Sequence, residues 1–281
     1  MTARHASHRR TLAATLTLAL TLTGVLAATG AQAQAARQQE FQPHSGQPGK
    51  DVVWVPTPDE LVQKMLDMAK VTSADFVIDL GSGDGRTVIA AARRGARAQG
   101  IEYNPDMVAL SQRNAEQAGV AGRATFAKQD LFQSDFSKAS VITMFLLSDI
   151  NMKLRPKILS LKPGTRIVSN TFKMGDWEPD QSGDAPSCST WCSAYLWIVP
   201  ARVEGRWRSE QGELTLKQEF QKVSGTLNVG GQAMPVSKGR LNGSEITFVV
   251  GSDEYRGKVN GGSIEGTVKS DGKESSWKAR R

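Results

Sequence analysis

The chain has 281 residues, a formal net charge of +7 and 39% hydrophobic residues, which is enough for one or two domains with a substantial core. His44 is the only histidine beyond residue 8, so a Ser-His-Asp triad and a multi-histidine metal site are nearly excluded. Residues 34–201 carry 18 basic and 18 acidic side chains, whereas residues 202–281 carry 14 and 10. The basic surplus therefore lies at the two ends, and we expect no nucleic-acid partner.

The first 33 residues have the pattern of an export signal. Arg4, Arg9 and Arg10 precede the mostly apolar stretch 11–30, and the small-residue site Ala31-Gln32-Ala33 follows. We expect cleavage there and a periplasmic or secreted protein, exported by the general or the twin-arginine route. An uncleaved membrane anchor is the alternative, because about 20 residues could just span a bilayer. The polar, turn-rich residues 34–50 are predicted to form a flexible leader.

From residue 51 the pattern alternates between helices and strands. A helix with apolar spacing at Leu61, Met65 and Met68 begins near Pro58. Strands are predicted at 75–80, 97–102, 124–128, 140–147 and 166–172, with helices at about 86–95 and 106–118 and a third started or interrupted near Pro156. Residues 173–192 have no periodicity and are predicted to be a loop. Such alternation predicts an α/β domain over 51–202 with a Rossmann-like, doubly wound parallel sheet.

Beyond residue 202 the pattern contains short strands alone. Segments 194–199 and 201–207 are predicted to pair antiparallel. The pairs Asn242-Gly243 and Asn260-Gly261 are hairpin turn signals of type I′. We therefore expect a small antiparallel β domain over 203–281, as a twisted sheet or an open barrel. Cys188 and Cys192 favour a short-loop disulfide in an exported protein, with two free thiols as the alternative.

The stretch VIDLGSGDGR, residues 77–86, places three glycines between an apolar strand and a helix. A nucleotide phosphate loop requires Gly-Lys-Ser/Thr, and the dinucleotide fingerprint has a different glycine spacing. Two carboxylates, Asp79 and Asp84, would also repel a pyrophosphate. A ligand that carries a sulfonium and an ammonium, S-adenosylmethionine (SAM), reverses that sign. Glu102, about 20 residues on at the end of the next strand, can accept both ribose hydroxyls.

The segments DLGSGDGR, GIEYNP and KQDLF together resemble the class I (seven-strand) SAM-dependent methyltransferases. The resemblance covers about 51–201 and implies that Asp130 bonds the adenine amino group while Leu131 or Phe132 covers the ring. The SAM-binding residues that we predict are Asp79, Gly81, Ser82, Gly83, Asp84, Gly85, Glu102, Tyr103, Asp130 and Leu131.

The segments VPTP (55–58), FLLSDIN (145–151) and SNTFKMGDWEPD (169–180) resemble the protein-lysine branch that includes the ATP synthase c-subunit enzyme. The chain departs from that branch in its export signal, its β tail and Ser148, where proline is usual. Amine methylation requires a neutral nitrogen, and Asp149 and Asn151 follow the fourth strand at the edge where α/β sites form. We predict these two as catalytic residues, with surface helix capping as the alternative. Trp177 is a candidate wall for the lysine channel, or a packed loop residue.

Three functions remain open at this point. The leading one is SAM-dependent methyl transfer to a protein lysine. The second is methyl transfer to a small molecule or lipid. The third is an envelope protein that binds SAM without turnover and contacts an anionic surface through its basic β tail. No Asn/Asp-Pro-Pro-Tyr motif follows the fourth strand, which argues against a nucleobase or glutamine amide acceptor.

Overall fold

The computed structural model describes residues 41–281. The first part is a seven-stranded sheet flanked by four helices. The helices are α1 (Asp59–Met68), α2 (Arg86–Arg93), α3 (Pro105–Gln117) and α4 (Ser148–Ile158). The strands are β1 (Phe76–Leu80), β2 (Arg97–Glu102), β3 (Ala124–Lys128), β4 (Val141–Met144), β5 (Arg166–Asn170), β6 (Gln181–Asp184) and β7 (Ser193–Ile198).

The sheet order is β3-β2-β1-β4-β5-β7-β6, with β1 to β5 parallel and β7 antiparallel to both of its neighbours. Strands β1 and β4 are almost entirely buried, because helices cover both faces. The chain runs outward from β1 in one direction to β3 and in the other to β6. The sheet therefore has a topological switch point between β1 and β4, where ligands of α/β proteins bind.

Three local predictions for this part were wrong. The predicted loop 173–192 contains the edge strand β6, whose polar sequence QSGD hides it from a hydrophobicity pattern. Strand β7 pairs with β5 and β6, so segment 201–207 does not close this sheet. Helix α4 contains Pro156 and ends two residues after it, at Ile158, so Pro156 neither starts nor interrupts the helix and costs it one backbone hydrogen bond.

Residues from Gly205 onward form a closed eight-stranded antiparallel barrel, where the sequence predicted a twisted sheet or an open barrel. Each strand pairs with the next along the chain, and β15 returns to β8 through Ala279–Ser209 and Arg280–Arg208. The strands are β8 (Gly205–Ser209), β9 (Glu213–Glu219), β10 (Lys222–Val229), β11 (Gln232–Asn242), β12 (Glu245–Val250), β13 (Asp253–Asn260), β14 (Ser263–Ser270) and β15 (Lys273–Arg280). The predicted fold class, a Rossmann-like α/β domain followed by an antiparallel β domain, is confirmed.

The two Asn-Gly hairpins form where the sequence predicts them, but with a different turn. Asn242 pairs with Glu245, and Asn260 with Ser263, so each asparagine is the last residue of its strand. The first loop residue is then Gly243 or Gly261, with φ of 61° and 57°, and the second loop residue does not have positive φ. Positive φ at the first position alone is the feature of a type II′ turn rather than type I′.

The sheet and the barrel contact each other through buried groups. The indole of Trp177 donates to Oε1 of Gln221 at 2.9 Å, and Nε2 of Gln221 donates to the carbonyl of Glu178 at 2.8 Å. Phe220 stacks on Trp177 with 5.7 Å between ring centroids. Trp177 is therefore a packed residue of this junction and not the wall of a substrate channel. Among residues 41–281, no helix combines the length and apolar character needed to cross a bilayer.

Candidate active site

A cleft opens at the carboxyl ends of β1 to β4, at the switch point of the sheet. Its empty space, with the open mouth included, is about 1010 Å³. Every predicted SAM-binding residue except Gly85 lines it. The two predicted catalytic residues, Asp149 and Asn151, do not.

The glycine loop is shaped by three left-handed backbone positions. Gly81, Gly83 and Gly85 have φ of 76°, 54° and 82°, a region that favours glycine. A Cβ on Gly83 would lie 2.3 Å from the indole nitrogen of Trp54, and a Cβ on Gly85 would lie 2.8 Å from the ring of Phe126. The absence of a side chain at Gly83 therefore lets the indole of Trp54 lie against the loop. The absence of one at Gly85 lets the start of α2 pack against Phe126 of the sheet.

The two loop carboxylates have different environments. Asp84 forms a close ion pair with Arg86, 2.6 Å from Oδ2 to Nη2, so its charge is compensated within the protein. Asp79 has no cation partner among the described ion pairs and accepts one hydrogen bond, from Thr143 Oγ1 at 2.6 Å. Burial raises the pKa of Asp79 to about 7, against the effect of that bond, and the charges of Asp84 and Glu102 add to the rise. Asp79 is therefore the group that a bound cation would stabilise most.

Glu102 holds the glycine loop and the start of α3 at once. Its Oε2 accepts from the backbone N–H of Gly83 at 3.0 Å, and its Oε1 accepts from that of Asn104 at 2.9 Å. A carboxylate has about four lone-pair directions, so each oxygen retains room for one more donor. The half-buried side chain lines the cleft, where two neighbouring hydroxyls of a ribose would match the two remaining positions.

Asp130, Tyr103 and Leu131 form the far end of the cleft. Oδ1 of Asp130 accepts from the N–H of Phe132 at 2.9 Å, and Oδ2 accepts from the ammonium of Lys50 at 2.6 Å. This bond to Lys50 is the main reason that the pKa of Asp130 lies below its ordinary value. Lys50 also lies 5.0 Å from the centroid of the Tyr103 ring.

Residues 46–57, called the strap here, cross the mouth of this cleft, and the sequence pattern did not predict them as site residues. Gln47, Lys50 and Trp54 of the strap all line the cleft, and Gln47 is 8% exposed. Backbone hydrogen bonds from Gly46 to Trp54 and from Trp54 to Gln47 fold the strap on itself. Of the predicted flexible leader, residues 47–50 therefore form part of the site. The one feature of the sequence that could have indicated the strap is that Lys50 and Trp54 lie on either side of the apolar pair Val52-Val53.

The residues of the cleft fit SAM on two observations. The buried carboxyl of Asp79 lines the cleft and has no cation partner among the described ion pairs, which suits a sulfonium or ammonium group. The half-buried carboxylate of Glu102 also lines the cleft and keeps room on each oxygen for a ribose hydroxyl. When bound, SAM supplies an electrophilic methyl group on sulfur, and the protein has to orient it and bring a nucleophile in line.

The two predicted catalytic residues differ in position. Asp149 is exposed in the first turn of α4. Asn151 is fully buried, and its Nδ2 donates to the carbonyl of Phe172 at 3.1 Å. Asn151 therefore holds the segment of chain that follows β5. Its side chain does not line the cleft, so it would not contact a reacting atom there. The catalytic role of Asp149 stays a prediction.

Cys188 and Cys192 form a disulfide, as expected from their spacing. Within the part of the chain that the structure describes, no three His, Cys, Asp or Glu side chains lie close enough together to hold a metal ion. The cleft itself carries protein carboxylates at both ends, Asp79 at one and Asp130 at the other, and this arrangement suits an organic cofactor with a cationic centre.

The fold and the cleft define a class I SAM-dependent methyltransferase, and three comparisons agree with that assignment. The ANTKMT methyltransferase domain matches residues 79–181. A protein-lysine N-methyltransferase of Saccharolobus islandicus is 41% identical over 151 residues, which are 53% of this chain and 94% of that protein. An RNA methyltransferase from Salinibacter ruber, solved with S-adenosylhomocysteine, is 46% identical with a TM-score of 0.50 and covers 53% of this chain and 96% of that one.

The chain belongs to this methyltransferase family. It is also 36% identical over 130 residues to the mouse ATP synthase c-subunit lysine N-methyltransferase, of which it covers 52%, so it spans about half the length of that relative. The similarity to the S. islandicus protein extends over nearly that whole enzyme and involves about half of this chain. The 281-residue chain uses SAM as its cofactor.

Proposed function

We propose that the enzyme methylates the side-chain amine of lysine in a protein acceptor. The observation that carries the proposal is the 41% identity to a protein-lysine N-methyltransferase over 94% of that enzyme. The chemistry of the site is compatible with it, because amine methylation needs orientation, a neutral nitrogen and exclusion of water rather than a nucleophile of the protein. Asp149, exposed in the first turn of α4, is the carboxylate that we expect to take the proton that the ammonium loses.

The charge of the catalytic half supports a protein rather than a nucleic-acid acceptor. Residues 34–201 carry equal numbers of basic and acidic side chains, 18 of each. Binding to RNA draws its affinity from neutralised phosphates, which requires a surplus of lysine and arginine. The S. ruber chain is described as an RNA methyltransferase, so RNA belongs in the assay as a competing acceptor.

The test is transfer of a labelled methyl group from SAM into an envelope extract of the source organism by the chain from residue 34 onward. Hydrolysis of the labelled protein fraction should release methylated lysine. Label in lipid, in small molecules or in RNA would refute the proposal, as would binding of SAM without any transfer. Glu102→Gln serves as the variant with an impaired cofactor site, and Glu274→Gln on the barrel surface is its matched control.

We also propose that the enzyme is exported, because the Ala31-Gln32-Ala33 site follows a basic and apolar segment and because disulfides persist in oxidising compartments. Residues 1–33 lie outside the described part of the chain. Intact-mass analysis of periplasmic protein should give a chain beginning near Gln34 or Ala36. A mass that includes residues 1–30 would contradict cleavage.

A further inference from the structure

Three aromatic side chains from different parts of the sheet domain meet at the edge of the cleft. Phe145 follows β4 and lines the cleft, Phe172 follows β5, and Trp191 lies in the loop before β7. Their ring centroids are 6.1 Å apart for Phe145 and Phe172, 5.9 Å for Phe145 and Trp191, and 5.5 Å for Phe172 and Trp191. These three residues are called the aromatic wall here.

The aromatic wall is partly open to solvent, although its side chains are of the kind that proteins bury. Trp191 is 43% exposed, and Leu147, two residues after Phe145, is 44% exposed. Phe145 and Phe172 are half-buried, so the wall presents apolar surface at the edge of the cleft. By contrast Trp177, Trp197 and Trp207 are fully buried.

Backbone strain, hydrogen bonds and a disulfide together hold the aromatic wall in place. Thr171 and Trp191 both have positive φ, 58° and 57°, which costs energy for residues with a side chain. The carbonyl of Phe172 accepts hydrogen bonds from Ser169 Oγ at 2.7 Å and from Asn151 Nδ2 at 3.1 Å. The disulfide between Cys188 and Cys192 closes the short loop that carries Trp191. Strain and cross-links gathered at one exposed cluster are typical of functional sites.

We propose that the aromatic wall binds the side chain of the acceptor lysine and that the disulfide holds Trp191 in the position for binding. This inference rests on the proposed function and names the part of the site that recognises the acceptor. Phe145 belongs to both the cleft and the wall, so the wall adjoins the cleft that we assign to the cofactor. Four methylene groups suit a flat aromatic surface, and the faces of the rings attract an ammonium or methylammonium group. The ring centroids are too close together for a cage, so the lysine lies along the wall rather than inside it.

Asn151 then acts as a positioning residue, through Phe172. The sequence predicted it as catalytic because it follows the fourth strand, and its buried amide instead fixes the carbonyl of a wall residue. Asn151→Ala should raise the acceptor KM with little change in the affinity for SAM. Loss of a catalytic group would lower kcat instead.

The direct test uses Nα-acetyl-lysine N-methylamide as the probe and the protein saturated with S-adenosylhomocysteine. Ligand-observed NMR should show saturation transfer to the lysine methylene protons. Trp191→Ala should weaken this binding about tenfold or more, and Trp191→Phe should retain most of it. Val229→Ala, which removes an equally exposed apolar side chain from the barrel, should have no effect. Absence of probe binding to the native protein, or equal binding to Trp191→Ala, would overturn the proposal.

The role of the disulfide is tested with a Cys188→Ser/Cys192→Ser double variant. Its probe affinity should fall part of the way toward that of Trp191→Ala, and reductant should reproduce the loss in the native protein but not add to it in the variant. Calorimetry should show unchanged SAM affinity in the Trp191 variants and in the cysteine double variant. Probe binding by the wall together with methyl transfer to some acceptor other than lysine would refute the proposed function. Methyllysine formation that does not depend on Trp191 would refute the wall instead.

Discussion

The sheet domain and the barrel differ in the charged groups that they bury. The barrel interior is filled by apolar and aromatic side chains, with Phe248 stacked on Tyr255 at 4.7 Å and Trp277 edge-on to both. Buried polar atoms without a partner occur in both regions, on Ser82 and Asn151 in the sheet domain and on Gln211 and Trp277 in the barrel, so they do not separate the two. The sheet domain, however, buries the carboxyl of Asp79 in its cleft, whereas the described residues of the barrel bury no carboxylate. A buried ionisable group departs from the rules of a stable core and marks a site of function, so we place the chemistry of this enzyme in the sheet domain.

The largest expected effect tests the stability of the barrel. Trp277→Ala should lower the free energy of unfolding by about 3–5 kcal/mol, because a fully packed indole is replaced by a cavity. Urea unfolding would measure the loss, with the exposed Val229→Ala as a control that changes stability by less than about 0.5 kcal/mol. SAM affinity of the folded variant, measured by calorimetry, should stay the same. Loss of SAM binding in a variant that is still folded would show that the packing of the barrel and cofactor binding in the sheet domain are coupled.

The second prediction concerns Glu102 in the sheet domain. Glu102→Gln preserves the volume of the side chain but removes its charge and replaces one acceptor oxygen by an NH2 donor. Of the two hydrogen bonds expected to the ribose, one becomes neutral and the other loses its acceptor, at a cost of about 1 kcal/mol or more each, so SAM affinity should fall roughly 30-fold or more. The backbone N–H of Gly83 or of Asn104 also loses its acceptor, so the thermal stability should fall, but by less than in Trp277→Ala. Unchanged SAM affinity by calorimetry would rule out the ribose contact.

The third prediction is a dependence of SAM affinity on pH. The pKa of Asp79 is about 7 in the folded protein, above the ordinary value for aspartate, so the folded state without ligand favours the protonated carboxyl. The protonated carboxyl of Asp79 therefore contributes stability that is fully present below the pKa of Asp79 in the unfolded chain. This contribution is lost as the pH rises through the folded pKa of about 7. A bound cation favours the ionised form, so SAM affinity should increase up to about tenfold per pH unit below 7 and level off above it.

Calorimetry between about pH 5.5 and 7.5 measures this slope. Asp79→Asn should bind SAM more weakly and lose the slope, whereas Asp84→Asn should keep it, because Asp84 is already paired with Arg86. A slope that persists in Asp79→Asn would assign it to another group.

The smallest expected effect concerns the strap. The ammonium of Lys50 occupies an oxygen of Asp130 that the adenine amino group would use, and it places a positive charge near a cationic ligand. Lys50→Ala should therefore bind SAM a few-fold more tightly, less than about tenfold, since the pair is exposed to solvent. Lys269→Ala on the barrel is the control. Weaker binding in Lys50→Ala would mean that Lys50 contributes to holding the cofactor.

The sequence predicted those parts of the molecule whose residues lie close together along the chain. The glycine loop, Glu102 and Asp130 each lie at the carboxyl end of a parallel strand, and the common edge of these strands brings them together. The strap and the aromatic wall could not be predicted in this way. Lys50 is 80 residues from Asp130, and Trp191 is 46 residues from Phe145, with no periodic pattern to connect them. The sequence missed the edge strand β6 because its residues are polar. It predicted Asn151 as catalytic from its place after the fourth strand, but that place did not show that the amide is buried and bonded to the carbonyl of Phe172.

The strap has a consequence for the speed of turnover. It lies across the cleft over the glycine loop, with Trp54 against Gly83, and its described backbone bonds to itself are those between Gly46, Gln47 and Trp54. Side-chain bonds from Lys50 to Asp130, from Gln47 to Met107 and from Arg86 to the carbonyl of Thr57 hold it to the rest of the domain, and none of them belongs to the ladder of the sheet. The strap can therefore open locally while the sheet beneath it stays folded. We expect the exchange of spent cofactor for fresh SAM to proceed by lifting the strap, so that the rate of this opening sets an upper limit on how often the enzyme can act.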